Sequence, residues 1–368
     1  MMQFPTDYKS ILDRVENIRP LQYAKTRNFI DGDVTYLSPY ISRGVISLQQ
    51  VAKHALKNHS PKKIEKFLQE LAWREYWQRV WQQLGDKIFT DIKHPQANVY
   101  HHKMIKAIED AVTGINVIDK QIQLLYETGY MHNHIRMYVS SIACNTAGAH
   151  WLQPSKWMYY HLLDGDLASN SLSWQWVAGT FSSKKYHCNQ ENINRYTYSS
   201  QQNTFLDCTY ETLTMMEIPG VLKAQSNFEK QTKLPEKIMP VINKDWPVLI
   251  YNGYNIDPLW HNDKLFNRIL LLEPSHYKKF PVSKKVMQFI IDLSKNINGI
   301  QIFAGEWDEL KALVNDNEII FKSHPAFTHY KGSPENYAAL FPEVTGYHNS
   351  FFAYWKKCEK YISSLAMI

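Results

Sequence analysis

The hydrophobic periodicity changes once along this chain, and that change limits the folds open to it. From Ser47 to about Ala178 apolar residues recur at three- and four-residue spacing: Ile64, Phe67, Leu68, Leu71 and Ala72 form one stripe, Ile118, Ile122 and Leu125 another. Such spacing puts them on one face of a helix. Pro39, Pro61, Pro95, Gly114, Gly129 and Pro154 supply boundaries between helices. After Pro247 the apolar residues come in short runs, Val248 to Tyr251, Arg268 to Leu272, Gly299 to Phe303 and Glu318 to Phe321, separated by helix-like segments such as Val282 to Ser294. Strands alternating with helices predict a parallel sheet. The fold class expected is therefore α+β: a mostly helical domain over residues 1–215, a linker over 216–245, and a small α/β domain over 246–368. The Asn/Gln/Ser/Thr-rich stretch from Asn189 to Asn203 reads as an irregular wrap ahead of that linker.

Several classes are excluded or disfavoured by composition. The longest apolar runs fall far short of the roughly 20 residues that a membrane-spanning helix needs, and Met1 to Ser10, with Asp7 and Lys9, lacks the apolar core of a signal peptide. A cytoplasmic protein without membrane contact is expected. Cys144, Cys188, Cys208 and Cys358 are far apart and form no CxxC, so packed thiols are expected, with no zinc ribbon and no metal cluster. His101, His102, His132 and His134 are adjacent or two apart, a spacing that does not share one helix face, and no metal site is assigned to them. The net charge of +6 lies wholly in residues 1–200, where 23 basic residues face 17 acidic ones. A polyanionic partner for that part fits this asymmetry, as does a merely solvated basic surface. The α/β part carries neither GxGxxG nor a Walker motif, so nothing there points to nucleotide binding.

The segment most informative about chemistry runs Asp164-Gly-Asp166-Leu-Ala-Ser-Asn170-Ser-Leu-Ser-Trp174-Gln-Trp176. Two carboxylates, an amide and two indoles so close together suit a cofactor with a polar edge and an aromatic body, such as a flavin. Taken alone, the same residues also read as an Asp/Gly turn followed by core tryptophans.

This segment resembles the signature of the photolyase/cryptochrome family, and four others match that family in order: Tyr23 to Asn28 with Thr35 to Tyr40, Phe67 to Tyr76, Val112 to Asp119, and Tyr130 to Met137. The resemblance covers roughly residues 20–180 and implies a helical FAD-binding domain with FAD as cofactor. It implies that Tyr23, Thr35, Leu37, Ser38, Arg74 and Asn133 hold the dinucleotide. Arg136 would pair with Asp164 beside the ring system, Asp166 would accept from ring or ribose, and Asn170 would face the flavin N5. For catalysis it implies Glu70, Trp73, Met137 and Asn170, with Glu70 bonding a pyrimidine edge and Trp73 stacking on the bases. Met137, where a related branch has histidine, tilts the substrate towards cyclobutane pyrimidine dimers in DNA.

Departures from the family pattern carry information too. Trp174 and Trp151 match the first two members of an electron-transfer chain, but the third position falls near Asn98, with Tyr100 close by. Val34, Tyr130 and Arg43 stand where relatives commonly carry other residues. The segment Ser182 to Arg195 weakly resembles an iron–sulfur branch without its cysteines. The family's antenna domain is expected to be missing before the helical part, with residues 246–368 as a permuted, degenerate counterpart; Asn252 to Leu265 faintly resembles its first strand and loop. A monomeric, light-driven deoxyribodipyrimidine photo-lyase is the first expectation. A blue-light photoreceptor of cryptochrome type without repair is the alternative, and a binding protein that has lost FAD is the third.

Overall fold

A computed structural model describes residues 3–314 and 317–365. The chain forms two compact units, one gathering Met1–Pro20, Thr35–Gln82 and Lys230–Ile368, the other Leu21–Val34 and Gln83–Glu229. These units are cut differently from the expected division at residues 215 and 246. The physical reason is tertiary: Arg43 is buried and donates from Nη1 to the Gly253 carbonyl at 3.2 Å, Tyr76 donates to the His348 carbonyl, and the Asn296 amide donates to the Thr6 carbonyl. Texture along a sequence does not register such contacts.

The second unit is helical, with Asn116–Thr128, Asn133–Ser141, Leu152–His161, Leu167–Ala178 and Gln190–Thr197 as its principal helices. Its core joins the expected stripe of Ile118, Ile122 and Leu125 to Ile135, Tyr138, Trp151, Trp157 and Trp174. A two-stranded antiparallel ribbon pairs β1 (Met104–Ile105) with β2 (Gln225–Ser226). The Gly114-to-Asp119 segment is a helix-start device: the Asp119 carboxylate accepts from Thr113 N at 2.8 Å, Thr113 Oγ1 at 2.7 Å and Gly114 N at 3.1 Å, with Gly114 at φ +83°.

The polar stretch expected to be irregular instead contains the Gln190–Thr197 helix. Asn189 caps it by accepting from Asn192 N, Asn192 Oδ1 accepts from Tyr138 OH at 2.8 Å, and Gln190 donates to Asn194 at 2.8 Å. The amides that lower apolar content thus satisfy helix ends and a buried phenol.

In the first unit, β3 (Val248–Tyr251), β4 (Asn267–Leu271), β5 (Ile300–Phe303), β6 (Ile319–Lys322) and β7 (Ser333–Glu335) form one wholly parallel sheet in the order β5-β4-β3-β6-β7. β3 pairs Val248 with Asn267 on one side and with Ile319 on the other, so the strand order reverses direction about it. Val248 to Tyr251 are fully buried, as a central parallel strand covered on both faces requires. The same unit contains the helices Ser38–Ser42, Leu48–Asn58, Glu65–Leu84 and, near the C-terminus, Phe351–Cys358.

Candidate flavin and lesion sites

The Leu167–Ala178 helix begins at Asp166, whose extended backbone and carboxylate cap it by accepting from Ser169 N at 2.7 Å. An aspartate there also faces the positive end of the helix dipole. Two residues earlier, buried Asp164 accepts from Arg136: Nη2 lies 3.0 Å from both of its oxygens. Arg136 is steadied by its Nε, which donates to the Met131 carbonyl at 2.8 Å, and by Tyr130, whose ring centre is 5.4 Å from the guanidinium. Asn170, one turn into the helix, donates to the Ser155 carbonyl at 2.9 Å.

This unit therefore brings together four sequence-predicted residues, Arg136, Asp164, Asp166 and Asn170. Beside them Ser169 Oγ is buried with no hydrogen-bonding partner among the described residues. A buried hydroxyl left over three residues after the Asp166 cap is a group that a polar ligand edge would satisfy, so the donor set fits the ring and ribose of FAD. Asn133 is exposed at the start of the Asn133–Ser141 helix, Met137 is half-buried one turn further, and Tyr23 is half-buried on Pro20–Thr26. His132 caps the Asn133–Ser141 helix through Nδ1, and burial first, then His134 and Arg136, lowers its pKa to about 4.

Trp174 and Trp151 are both buried in this core, while Tyr100 is 74% exposed. Tyr100 packs its ring against Gly148, where an added Cβ would come within 2.4 Å of Cδ2, and its N donates to the Gly148 carbonyl at 2.8 Å. Trp151 Nε1 donates to Asp91 Oδ1 at 2.7 Å. Asp91 lies 60 residues away in the chain and in no motif, so nothing local in the sequence marked it.

The other predicted residues lie in the first unit. Leu37 is buried at the start of Ser38–Ser42, and its N donates to Thr35 Oγ1 at 3.3 Å. Arg74 donates from Nη1 to Ser42 Oγ at 2.6 Å, which ties its guanidinium to the short helix that carries Ser38. Glu70 and Trp73 are three residues apart and share one face of Glu65–Leu84. Glu70 is partly exposed and 3.4 Å from Lys66 Nζ. Trp73 stacks on Phe351, with ring centres 3.7 Å apart and planes within 9°. Glu75, to which the Phe67-to-Tyr76 match gave no role of its own, is buried between Arg79 (2.6 Å), the Tyr354 hydroxyl (2.8 Å) and the Leu340 amide.

All four cysteines are free thiols; Cys188 is fully buried, and burial pushes its pKa up to about 12. Among the described residues no three of His, Cys, Asp and Glu are grouped to hold a metal ion, and no helix is long and apolar enough to cross a membrane.

Residues 67–208 match the FAD-binding domain of DNA photolyase. The deoxyribodipyrimidine photo-lyase of Agrobacterium fabrum (strain C58) is 33% identical over 165 residues, which cover 43% of this chain and 34% of that protein. The Synechococcus protein of the same name is 32% identical over 171 residues, 43% of this chain and 35% of that one. Cryptochrome DASH of Danio rerio is 30% identical over 167 residues, 43% of this chain and 32% of that protein. The chain spans about a third of the length of the curated relatives it matches. The helical segment that carries Arg136, Asp164 and Asp166 is thus similar to the FAD-binding domain of the photolyase/cryptochrome family.

Proposed function

We propose that the chain binds FAD and uses light to split cyclobutane pyrimidine dimers in DNA. The observation that carries this reading is the buried Arg136–Asp164 pair, set two residues before the Asp166-capped helix that bears Asn170. Reduced FAD, when bound, supplies a light-driven one-electron donor. Arg136 and Asp164 hold each other's charge and fix the loop between two helices, and Asp166 and Ser169 offer an acceptor and a hydroxyl to ring and ribose. Asn170, positioned through the Ser155 carbonyl, would meet the ring edge.

For the lesion, Glu70 accepts from the N–H edge of a pyrimidine and Trp73 stacks on it. A dimer is cheaper to flip out of a duplex than a normal pair, because its stacking and pairing are already weakened. The basic excess of residues 1–200 suits a phosphate backbone. We place the protein in the cytoplasm on the same reading.

The test is direct. The purified protein is reduced and illuminated with an oligonucleotide containing a thymine dimer, while its visible spectrum and the recovery of thymine absorbance are followed. Bound flavin with recovery supports repair. Bound flavin without recovery on single or double strands moves the reading to light sensing, a second possibility favoured by the Phe351 ring that covers one face of Trp73. No flavin overturns both.

A further inference from the structure

We propose that Asp91 is the proton acceptor that traps an oxidising equivalent on Trp151. This rests on the flavin reading above and on the electron-transfer chain that the resemblance implies for Trp174 and Trp151, in which Trp174 would give an electron to light-excited oxidised flavin and Trp151 would refill Trp174.

The three tryptophans of the helical core differ in what their indole N–H groups meet. Trp174 is buried with no partner for Nε1 among the described residues, and Trp157 donates to the Tyr126 hydroxyl at 2.9 Å. Trp151, completely buried, donates to the Asp91 carboxylate at 2.7 Å. Removing an electron from an indole makes its N–H strongly acidic, so the cation keeps its proton only where nothing basic is in reach. Trp174 can therefore pass a hole but has no group to receive its proton. Trp151 has a carboxylate oxygen in hydrogen-bonding contact.

The surroundings hold Asp91 ready for this. His150 Nε2 is 3.2 Å from the same oxygen, Asp91 Oδ2 accepts from Gln96 N at 2.8 Å, and the His150 Nδ1 accepts from Leu152 N at 3.4 Å. That arrangement makes the ε nitrogen of a neutral His150 a donor to Asp91, and burial lowers the imidazole's pKa more than Asp91 raises it. Gln96 clamps the loop from both ends of its side chain, donating to the Ala149 carbonyl at 2.8 Å and accepting from Trp151 N at 2.9 Å. His150 and Gln96 are positioning residues, and Asp91 is the group that reacts.

One electron passes from Trp151 to oxidised Trp174; the Trp151 N–H bond breaks and an O–H bond forms on Asp91. A neutral indolyl radical and a neutral carboxylic acid remain, until an external thiolate gives up one electron, becoming a thiyl radical, and Asp91 returns its proton to the indole nitrogen. Charge return is slowed because it now needs the proton back. The chain can thus hold a separated charge although asparagine stands near the position of the family's third tryptophan.

The experiment compares the wild type, Asp91→Asn and Trp151→Phe. Asparagine keeps an acceptor oxygen for the indole but takes up no proton, and far-ultraviolet circular dichroism checks the fold. In flavin-free protein, the Trp151 indole N–H signal in a nitrogen-15 spectrum is expected well downfield in the wild type and upfield in Asp91→Asn. A wild-type signal at the ordinary position of a solvent-bonded indole overturns the contact. After a laser flash on the flavin-loaded protein, the wild type is expected to show the neutral tryptophan radical. Asp91→Asn is expected to show the cation, with a charge-separated lifetime about tenfold shorter. A neutral radical formed at the wild-type rate in Asp91→Asn overturns the inference while leaving the flavin reading standing, provided Trp151→Phe abolishes the radical. If Trp151→Phe changes neither radical yield nor flavin photoreduction, the relay itself fails.

Discussion

Phe351 lies flat on Trp73, ring centres 3.7 Å apart, so the residue proposed to stack on a pyrimidine is already stacked on a side chain from the other end of the chain. Phe351 is 2% exposed and also meets Tyr76 edge-on at 5.9 Å. Substituting Phe351 with alanine is expected to cost about 3 kcal/mol of stability through the cavity it leaves. It should also shift Trp73 fluorescence, readable against a Trp73→Phe background. Urea unfolding and emission spectra check both. An unchanged midpoint would mean that the helix bearing Phe351 is not held by this stack.

Arg136 is the cation for a nearly inaccessible carboxylate, and truncating it strands that charge. Arg136→Ala should destabilise the protein by about 3 kcal/mol and leave purified protein without flavin absorbance. Arg136→Lys should retain fold better than flavin, since a point charge lacks the planar fork that reaches Asp164 and the Met131 carbonyl together. Denaturation curves and the ratio of visible to ultraviolet absorbance read the two effects apart.

Glu70→Ala should reduce repair about thirty-fold, the equivalent of ~2 kcal/mol for one lost hydrogen bond to a charged group, with little change in the flavin spectrum. The exposure of Glu70 makes a folding defect a poor alternative explanation. A repair rate equal to the wild type would remove Glu70 from the mechanism.

Acid should destabilise this protein before its carboxylates titrate. Burial lowers the pKa of His276 and of His324 from 6.5 to about 3, and that of His132 to about 4. Each folded-state value lies below the unfolded one, so the stability at stake is fully present above about pH 6.5 and falls as pH drops towards the folded values. Each group should contribute a loss of about 1.4 kcal/mol per pH unit in that window. Unfolding midpoints measured between pH 7 and pH 5 should fall less steeply in His324→Phe, which keeps a ring against Tyr254, 4.4 Å away. An equal slope would show that His324 is not the group taking up the proton.

Much of the helical core was legible because its signals are local. The stripe of Ile118, Ile122 and Leu125 depends on residues a turn or so apart, and residues that close report on one another in sequence. The pairing of Arg136 with Asp164, across 28 positions, came only from resemblance. The strands after Pro247 were legible because buried parallel strands leave continuous apolar runs, yet their order was not, since register depends on neighbours far away in the chain. The amide-rich helix at Gln190–Thr197 was misread because its polarity serves internal hydrogen bonds, which composition cannot tell from solvation. Asp91, Glu75 and Phe351 were invisible for one reason: each acquires its meaning from a partner 60 or more residues away.

The link between Arg43 and Gly253, 210 residues apart, bears on the order in which a nascent chain can settle. Residues 83–229 form most of a contiguous unit and can fold soon after they leave the ribosome. The segment with Arg43, Arg74 and Glu75 is made first but must wait for the last third of the chain before Gly253, Leu340 and Tyr354 arrive to receive it. During that interval its apolar surface is uncovered, so slow or interrupted synthesis past residue 230 is the stage at which this protein is most exposed to aggregation and to proteases.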